Sequence, residues 1–250
     1  MPSNKHHGKP QPPYMLNALA AAVTPNGTVL AYSVARLLSA TYSGPLYSLN
    51  GAFIQTIYDQ SGNGADVTEP DPSLQPTFVA TSQGGRPAFG FRAFEYIWGS
   101  KVFSLPSNAM SAVLVSKGRT EIYASSAASP FAGFLVRGGS NARSELFSGD
   151  SEAGGAFAGF ISDNSYTVIS VRVRSGQNSF RVNGVEQPAN NVFDTGGALA
   201  NMTNIERVGF GALLAGSEGQ EIIIMDGYKT DAEIIAAEQD AGAFYGITFP

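Results

Sequence analysis

From Thr167 to Arg174 the chain alternates, with Ile169, Val171 and Val173 on one side and Ser170, Arg172 and Arg174 on the other. A period of two sends successive side chains to opposite faces of an extended strand. The segment therefore predicts an antiparallel strand with one face buried and the other wet. Ser111–Ser116, Phe131–Arg137 and Ser179–Val185 carry comparable patterns, with Phe180 and Val182 facing in. Shorter strands are predicted over 46–49 and 53–58, on either side of Asn50-Gly51, and Asn183-Gly184 marks a second turn of the kind that closes hairpins. Ile222–Met225 is apolar without a break, which predicts a central strand covered on both faces.

Two segments carry a helical period instead. Val34, Leu37, Leu38 and Tyr42 share a face within Tyr32–Tyr42, a short helix that Ser43-Gly44-Pro45 ends. Near the C-terminus, Thr230 with Glu233 three residues later forms a capping box, and Ile234, Ala237, Ala241 and Phe244 follow on one face. Gly246 stands where such a helix stops. Many short strands, one short N-terminal helix and one closing helix predict an all-β antiparallel sandwich. The pattern leaves Ala124–Ser129 and Gly149–Gly159 open between loop and weak strand. No repeat of about 20–50 residues points to a solenoid or propeller.

Composition agrees with this. A chain of 250 residues that is 43% hydrophobic can bury one large core, and its 29 Gly and 14 Pro suit many tight turns. No apolar run of about 18 residues occurs, so no membrane partner is expected. A net charge of −5 without a Lys/Arg run argues against a nucleic-acid partner. With no cysteine there is neither a disulfide framework nor a thiolate metal site. Residues 1–28 form a separate unit, a polar arm broken by Pro2, Pro10, Pro12 and Pro13, and residues 29–250 form the sandwich. The arm carries no apolar stretch of signal-peptide type, so synthesis in the cytoplasm without a signal peptide is expected. His6 and His7 lack a third ligand nearby, and as the only histidines they exclude a histidine base within the domain.

Three groups of residues are candidates for chemistry. Tyr58, Asp59, Gln60 and Asn63 in the YDQSGNG segment could meet a sugar, Tyr58 by stacking and the others by presenting carboxylate and amide groups to the sugar hydroxyls. The same residue types are what a tight turn requires, and the turn is the favoured reading. Tyr96 and Trp98 follow Phe94 at every second position, so the three share a strand face. An aromatic surface there would stack on a sugar ring, but burial of at least two of the three is expected. Asp66, Glu69 and Asp71 form an acidic loop whose oxygens suit calcium; a solvated acidic loop is the favoured alternative, and no cofactor is otherwise implied.

Five segments resemble a known family in order along the chain: YSVARLLSATYSGPLY (32–47), IYDQSGNGADVTEPDPSLQP (57–76), GGRPAFGF (84–91), FRVNGVEQ (180–187) and KTDAEIIAAEQDAGAFYGI (229–247). They resemble the concanavalin A-like, LamG-like sandwich (jelly roll) of bacterial and phage surface proteins, which is related to the catalytic domain of family 54 α-L-arabinofuranosidases. The resemblance implies that fold, and it implies less about activity. The nucleophile of those enzymes is a Glu three residues before a Leu-Phe-Ser-Gly run. Here the run is Leu146–Gly149, and Arg143 holds the matching position. The turn matching the second carboxylate, Leu213–Gly216, holds no acid, and the enzymes' cysteine pair is missing.

Glu145 and Glu218 are the nearest carboxylates, and Glu145 is displaced by about 6–7 Å along a strand from the family position. The resemblance therefore favours a non-catalytic module on a virion or phage-like particle (head fibre, spike or tail-fibre tip). Its arm would hold a capsid or tail protein, its sandwich would meet polysaccharide, and it would assemble as a homo-oligomer. A glycosidase of arabinofuranosidase type and a purely structural decoration protein are the alternatives.

Overall fold

The computed structural model describes residues 28–33, 50–99, 103–126, 132–148, 151–157, 161–174, 177–187 and 202–250. Nine short or medium strands come first: β1 (Thr28–Tyr32), β2 (Thr56–Ile57), β3 (Val67–Thr68), β4 (Thr77–Val79), β5 (Ala88–Phe91), β6 (Glu95–Gly99), β7 (Phe103–Leu105), β8 (Ala109–Lys117) and β9 (Thr120–Ser125). They are followed by β10 (Ala132–Arg137), β11 (Arg143–Ser148), β12 (Ser151–Phe157), β13 (Thr167–Arg174), β14 (Gln177–Val182), β15 (Val185–Glu186), β16 (Met202–Ile205), β17 (Arg207–Ala212) and β18 (Ser217–Asp226). A helix, α1 (Asp231–Tyr245), comes last.

The strands build two facing sheets. One runs β15-β14-β13-β8-β18-β5-β4, with β1 also paired to β18; the other runs β12-β11-β10-β9-β17-β6. Two small ribbons, β16-β7 and β2-β3, stand apart from them. Every strand pair among the described residues is antiparallel. The apolar side of each alternating strand lands between the sheets: Leu114, Val171 and Ile222 come from the first, Ile122, Phe134 and Phe210 from the second. Phe210 sits at the centre, edge-on to Phe89 and Phe91 at 5.6 and 5.3 Å and tilted against Tyr32 at 5.8 Å. Truncating a buried ring of this kind to Ala costs about 3–5 kcal/mol. The all-β sandwich with a closing helix is thus present.

α1 lies on the outer face of the first sheet. Thr230 Oγ1 accepts from the Glu233 amide, and Glu233 accepts from the Thr230 amide at 2.8 Å, so the predicted capping box is formed. Gly246 ends the helix at φ 66°. Its buried side is Ile234, Glu238, Ala241 and Tyr245, whereas Ala237 and Phe244 are only partly buried. Beneath it lie Val113, Val115, Ile223 and Met225, so β18 has Ile222 and Ile224 on the core side and Ile223 and Met225 under the helix. That is the central strand, covered on both faces, which its unbroken apolar run predicts.

The same helix corrects one expectation. The polar side of β13 is wet only at its end: Arg174 is exposed, but Ser170 and Arg172 are buried, with Ser170 donating to Glu238 of α1 and Arg172 paired with Asp231. Alternation identified the two faces but carried no sign that a helix covers the polar one. Tyr32 is likewise the last residue of a strand rather than the first of a helix, and residues 34–42 and 46–49 lie outside the described residues. Within 53–58 only Thr56–Ile57 is a strand, with Phe53 in a single bridge to Thr77. Of the two open segments, 151–157 is strand β12 and Ala124 and Ser125 close β9. Thr28 already belongs to β1, and the rest of the predicted arm lies outside the described residues.

Candidate functional site

The second sheet turns one face to the core and the other away from it, and α1 packs on the first sheet. On the outward face, register brings side chains into two rows across the strands. One row is Trp98, Gly209, Tyr123, Leu135 and Glu145 on β6, β17, β9, β10 and β11. The other, two residues along each strand, is Tyr96, Gly211, Glu121, Arg137 and Arg143. The first row is apolar until it reaches Glu145, and the second is polar.

The two glycines of β17 shape the aromatic end. A Cβ on Gly209 would lie 2.6–2.8 Å from the Trp98 ring, and one on Gly211 would lie 2.1 Å from the Glu95 carbonyl oxygen and 2.8 Å from Tyr96. Without side chains there, the Trp98 and Tyr96 rings lie close over β17, stacked at 5.7 Å with 28° between their planes. Tyr123 meets Trp98 edge-on at 6.4 Å, and the Arg207 guanidinium stands 5.6 Å from its ring centre. Trp98 keeps 38% of its surface exposed. This overturns the expected burial of two of the three aromatics at 94, 96 and 98. Phe94 is not in the strand at all: it sits in the turn before β6 at φ 56°, 76% exposed, and Tyr96 is half-buried.

The polar row is held by charge. Glu121 is buried and takes both the Tyr96 hydroxyl and the Arg137 guanidinium. Burial, then the bond to Glu121, pushes the Tyr96 hydroxyl well above its ordinary value. Arg143 Nε lies 2.9 Å from Glu145 Oε1, near enough to pair but without the alignment of a hydrogen bond, and both atoms are buried. Burial raises the Glu145 carboxyl above its ordinary value; Arg143 and Arg137 pull it back, and Glu121 adds to the rise.

The other predicted residues lie elsewhere. Glu218 is on the outward side of the first sheet, on the opposite side of the sandwich from Glu145. It accepts from Ser82 Oγ and the Tyr166 hydroxyl at 2.5 Å each and from Lys117 Nζ at 3.1 Å. Burial alone would raise its carboxyl, but those three donors outweigh it and hold it below the ordinary value. The two glutamates nearest the family's catalytic positions therefore do not face one another.

In the YDQSGNG loop, Asp59 accepts from the Ser61 and Ala65 amides, both at 3.0 Å, and Gln60 donates to the Ser33 carbonyl at 2.7 Å. Asn63 donates to Ser61 Oγ at 3.0 Å, while Tyr58 is half-exposed. These contacts build the loop, as the turn chemistry of the residues dictates. Asp66 Oδ1 accepts the Asp59 amide, Glu69 Oε1 the Asp71 amide and Asp71 Oδ1 the Ser73 amide, at 2.8–2.9 Å. Among the described residues no three His, Cys, Asp or Glu side chains gather closely enough to hold a metal ion.

Glu121, Tyr123 and Arg137 were not singled out from sequence. The signal that could have found the site is Arg207–Ala212, RVGFGA, where glycine recurs at every second position of a strand and marks a close approach.

No protein-family model matches the chain, and no curated protein matches it in sequence. Its shape is similar to that of botulinum neurotoxin type C, a toxin that depends on interaction with two ganglioside molecules to get into cells. There the TM-score is 0.55 at 11% identity, over 86% of this chain and 51% of the other. The binding domain of Paraclostridial Mosquitocidal Protein 1 gives 0.54 at 12% identity, over 87% and 55%. The receptor binding domain of botulinum neurotoxin D gives 0.53 at 12% identity, over 86% and 53%. The chain spans about half the length of each, and at these identities the likeness shows the fold alone, a β-sandwich.

Proposed function

We propose that this sandwich is a glycan-binding module and that the Trp98 end of the outward face of its six-stranded sheet is the binding surface. The observation that carries the reading is the Trp98–Tyr96 platform, laid over two glycines, with Trp98 38% exposed and the exposed Arg207 guanidinium beside its ring. A sugar ring has an apolar C–H face and a polar rim. An exposed aromatic face stacks on the first, and amide, hydroxyl or charged groups beside it engage the second. A sandwich of similar shape in a toxin that interacts with gangliosides supports the choice of ligand class. The setting we propose is the surface of a phage-like particle, with residues 1–28 as the attachment arm to a capsid or tail protein and the sandwiches assembled as homo-oligomers. The five segments that resemble phage and bacterial surface proteins support it.

The test is retention of the protein on immobilised arabinoxylan, arabinan, mixed-linkage β-glucan and bacterial lipopolysaccharide. Wild type is expected to be held by at least one of them and Trp98→Ala by none. Equal retention of the two proteins would sink the reading.

Hydrolysis is the second reading, because Glu121 and Glu145 share this face, each paired with an arginine and Glu145 with a raised carboxyl pKa. Two carboxyls in unlike environments are the pattern of an acid and its partner. Release of reducing sugar that Glu145→Gln abolishes would establish it, and intact polysaccharide after prolonged incubation would remove it.

A further inference from the structure

We infer that the glycan this module takes is an acidic one, and that Arg207 pairs with the carboxylate of the sugar unit stacked on Trp98. The inference rests on the glycan-binding reading and adds to it the chemical class of the ligand. Arg207 opens β17, two residues before Gly209, so alternation sends its side chain to the outward face beside Trp98. Its guanidinium stands 5.6 Å from the Trp98 ring centre, and the residue is exposed.

The other arginines of this face are matched. Arg137 pairs with Glu121, and Arg143 with Glu145. Arg207 has no carboxylate partner among the described residues, not even Glu206 beside it in sequence. An arginine lying against an aromatic ring uses its flat face there and keeps its N–H edge free to donate. That edge fits the two oxygens of a carboxylate, which it holds through parallel hydrogen bonds. The ring contact also steadies the long side chain, so less freedom is lost when an anion binds.

The indole supplies the other half of the site. Trp98 lies over Gly209 and keeps its exposed surface on the side away from the sheet. A hexuronate or a sialic acid carries its carboxylate directly on a ring carbon. Stacked on Trp98, such a sugar points that group at the border of the indole, where Arg207 stands. A neutral sugar would leave the guanidinium to water. The chain carries a net charge of −5, which opposes loose adsorption of a polyanion. Retention of an acidic polysaccharide therefore needs a local cation of this kind.

The experiment uses the full-length protein and adds polygalacturonate, alginate and polysialic acid to the immobilised panel. Each is paired with a sample whose carboxyl groups have been reduced to primary alcohols, which removes the charge and keeps the chain. Wild type is expected to hold at least one acidic chain about tenfold more tightly than its reduced form, as one charge-assisted pair implies. Which chain it holds tells a hexuronate from a sialic acid. Arg207→Gln should hold that acidic chain no more tightly than the reduced one, Arg207→Lys should keep part of the preference, and Trp98→Ala should hold neither. The ratio of the two affinities is independent of how much of a variant is folded. Retention by neutral chains alone, equal affinity for acidic and reduced chains, or a preference that survives Arg207→Gln would overturn the inference while the glycan-binding reading stands. Failure of every chain to retain wild type would overturn both.

Discussion

Gly209 and Gly211 stand side by side on one strand face and yet hold different things in place. At Gly209 an added methyl would press on the Trp98 ring, a side chain that can lift away; at Gly211 it would press on the backbone of Glu95 and Tyr96. Gly209→Ala is therefore expected to change the Trp98 emission and abolish glycan retention with little change in stability. Gly211→Ala is expected to cost about 1–3 kcal/mol in urea unfolding, as overpacking does. The two carboxyls differ in a parallel way. Glu145 is raised from 4.5, so the folded state holds its proton more tightly than the unfolded state does. Stability it provides is complete below pH 4.5 and is lost as pH rises through the folded value. Glu218 is lowered from 4.5, so its contribution is present above pH 4.5 and disappears as pH falls through the lower folded value. Unfolding curves across this range should show Glu145→Gln removing the first slope and Glu218→Gln the second. Residue-level chemistry was only half legible in the sequence. Trp98, Tyr96 and Glu145 stand out by type, but Glu121 and Arg137 become a pair only through a register between β9 and β10 that no local pattern states.

Elements were legible where their signals are local. The capping box of α1, its glycine stop and the unbroken apolar run of β18 each specify a structure within a few residues. Thr230→Ala should accordingly cost about 1 kcal/mol, measured by thermal unfolding, because the cap satisfies an amide that the helix leaves open. What failed was inference from polarity to exposure. Ser170 and Arg172 look like a solvated strand face, but the buried Glu238 of α1 and Asp231 in its exposed first turn supply their partners. Arg181, from the neighbouring β14, pairs with the same Glu238 at 2.8 Å. Removing one member of such a buried pair strands the other, and replacement of Glu238 by Leu is expected to lower stability by about 3–5 kcal/mol.

At the scale of the whole molecule, β1 pairs with β18, the strand that leads into α1. Tyr32 at the end of β1 is wholly buried against Phe210, and the next residue, Ser33, bonds both Gln60 and the Tyr245 hydroxyl. A chain beginning at Val34 is therefore expected to unfold far below the full-length protein, as scanning calorimetry would show.

The pairing of β1 with β18 also decides how copies of the module could work together. Thr28, where β1 begins, and Phe249, packed near α1 just before the last residue, both belong to the helix-bearing side. The aromatic face looks the other way. A tether at either end would leave from the side opposite Trp98, and many copies fixed to one support would present that exposed ring outward. Each copy could then hold its glycan weakly, with an adhesion strength set by the number and spacing of copies. Such a surface would grip a densely glycosylated target and slip from a sparse one.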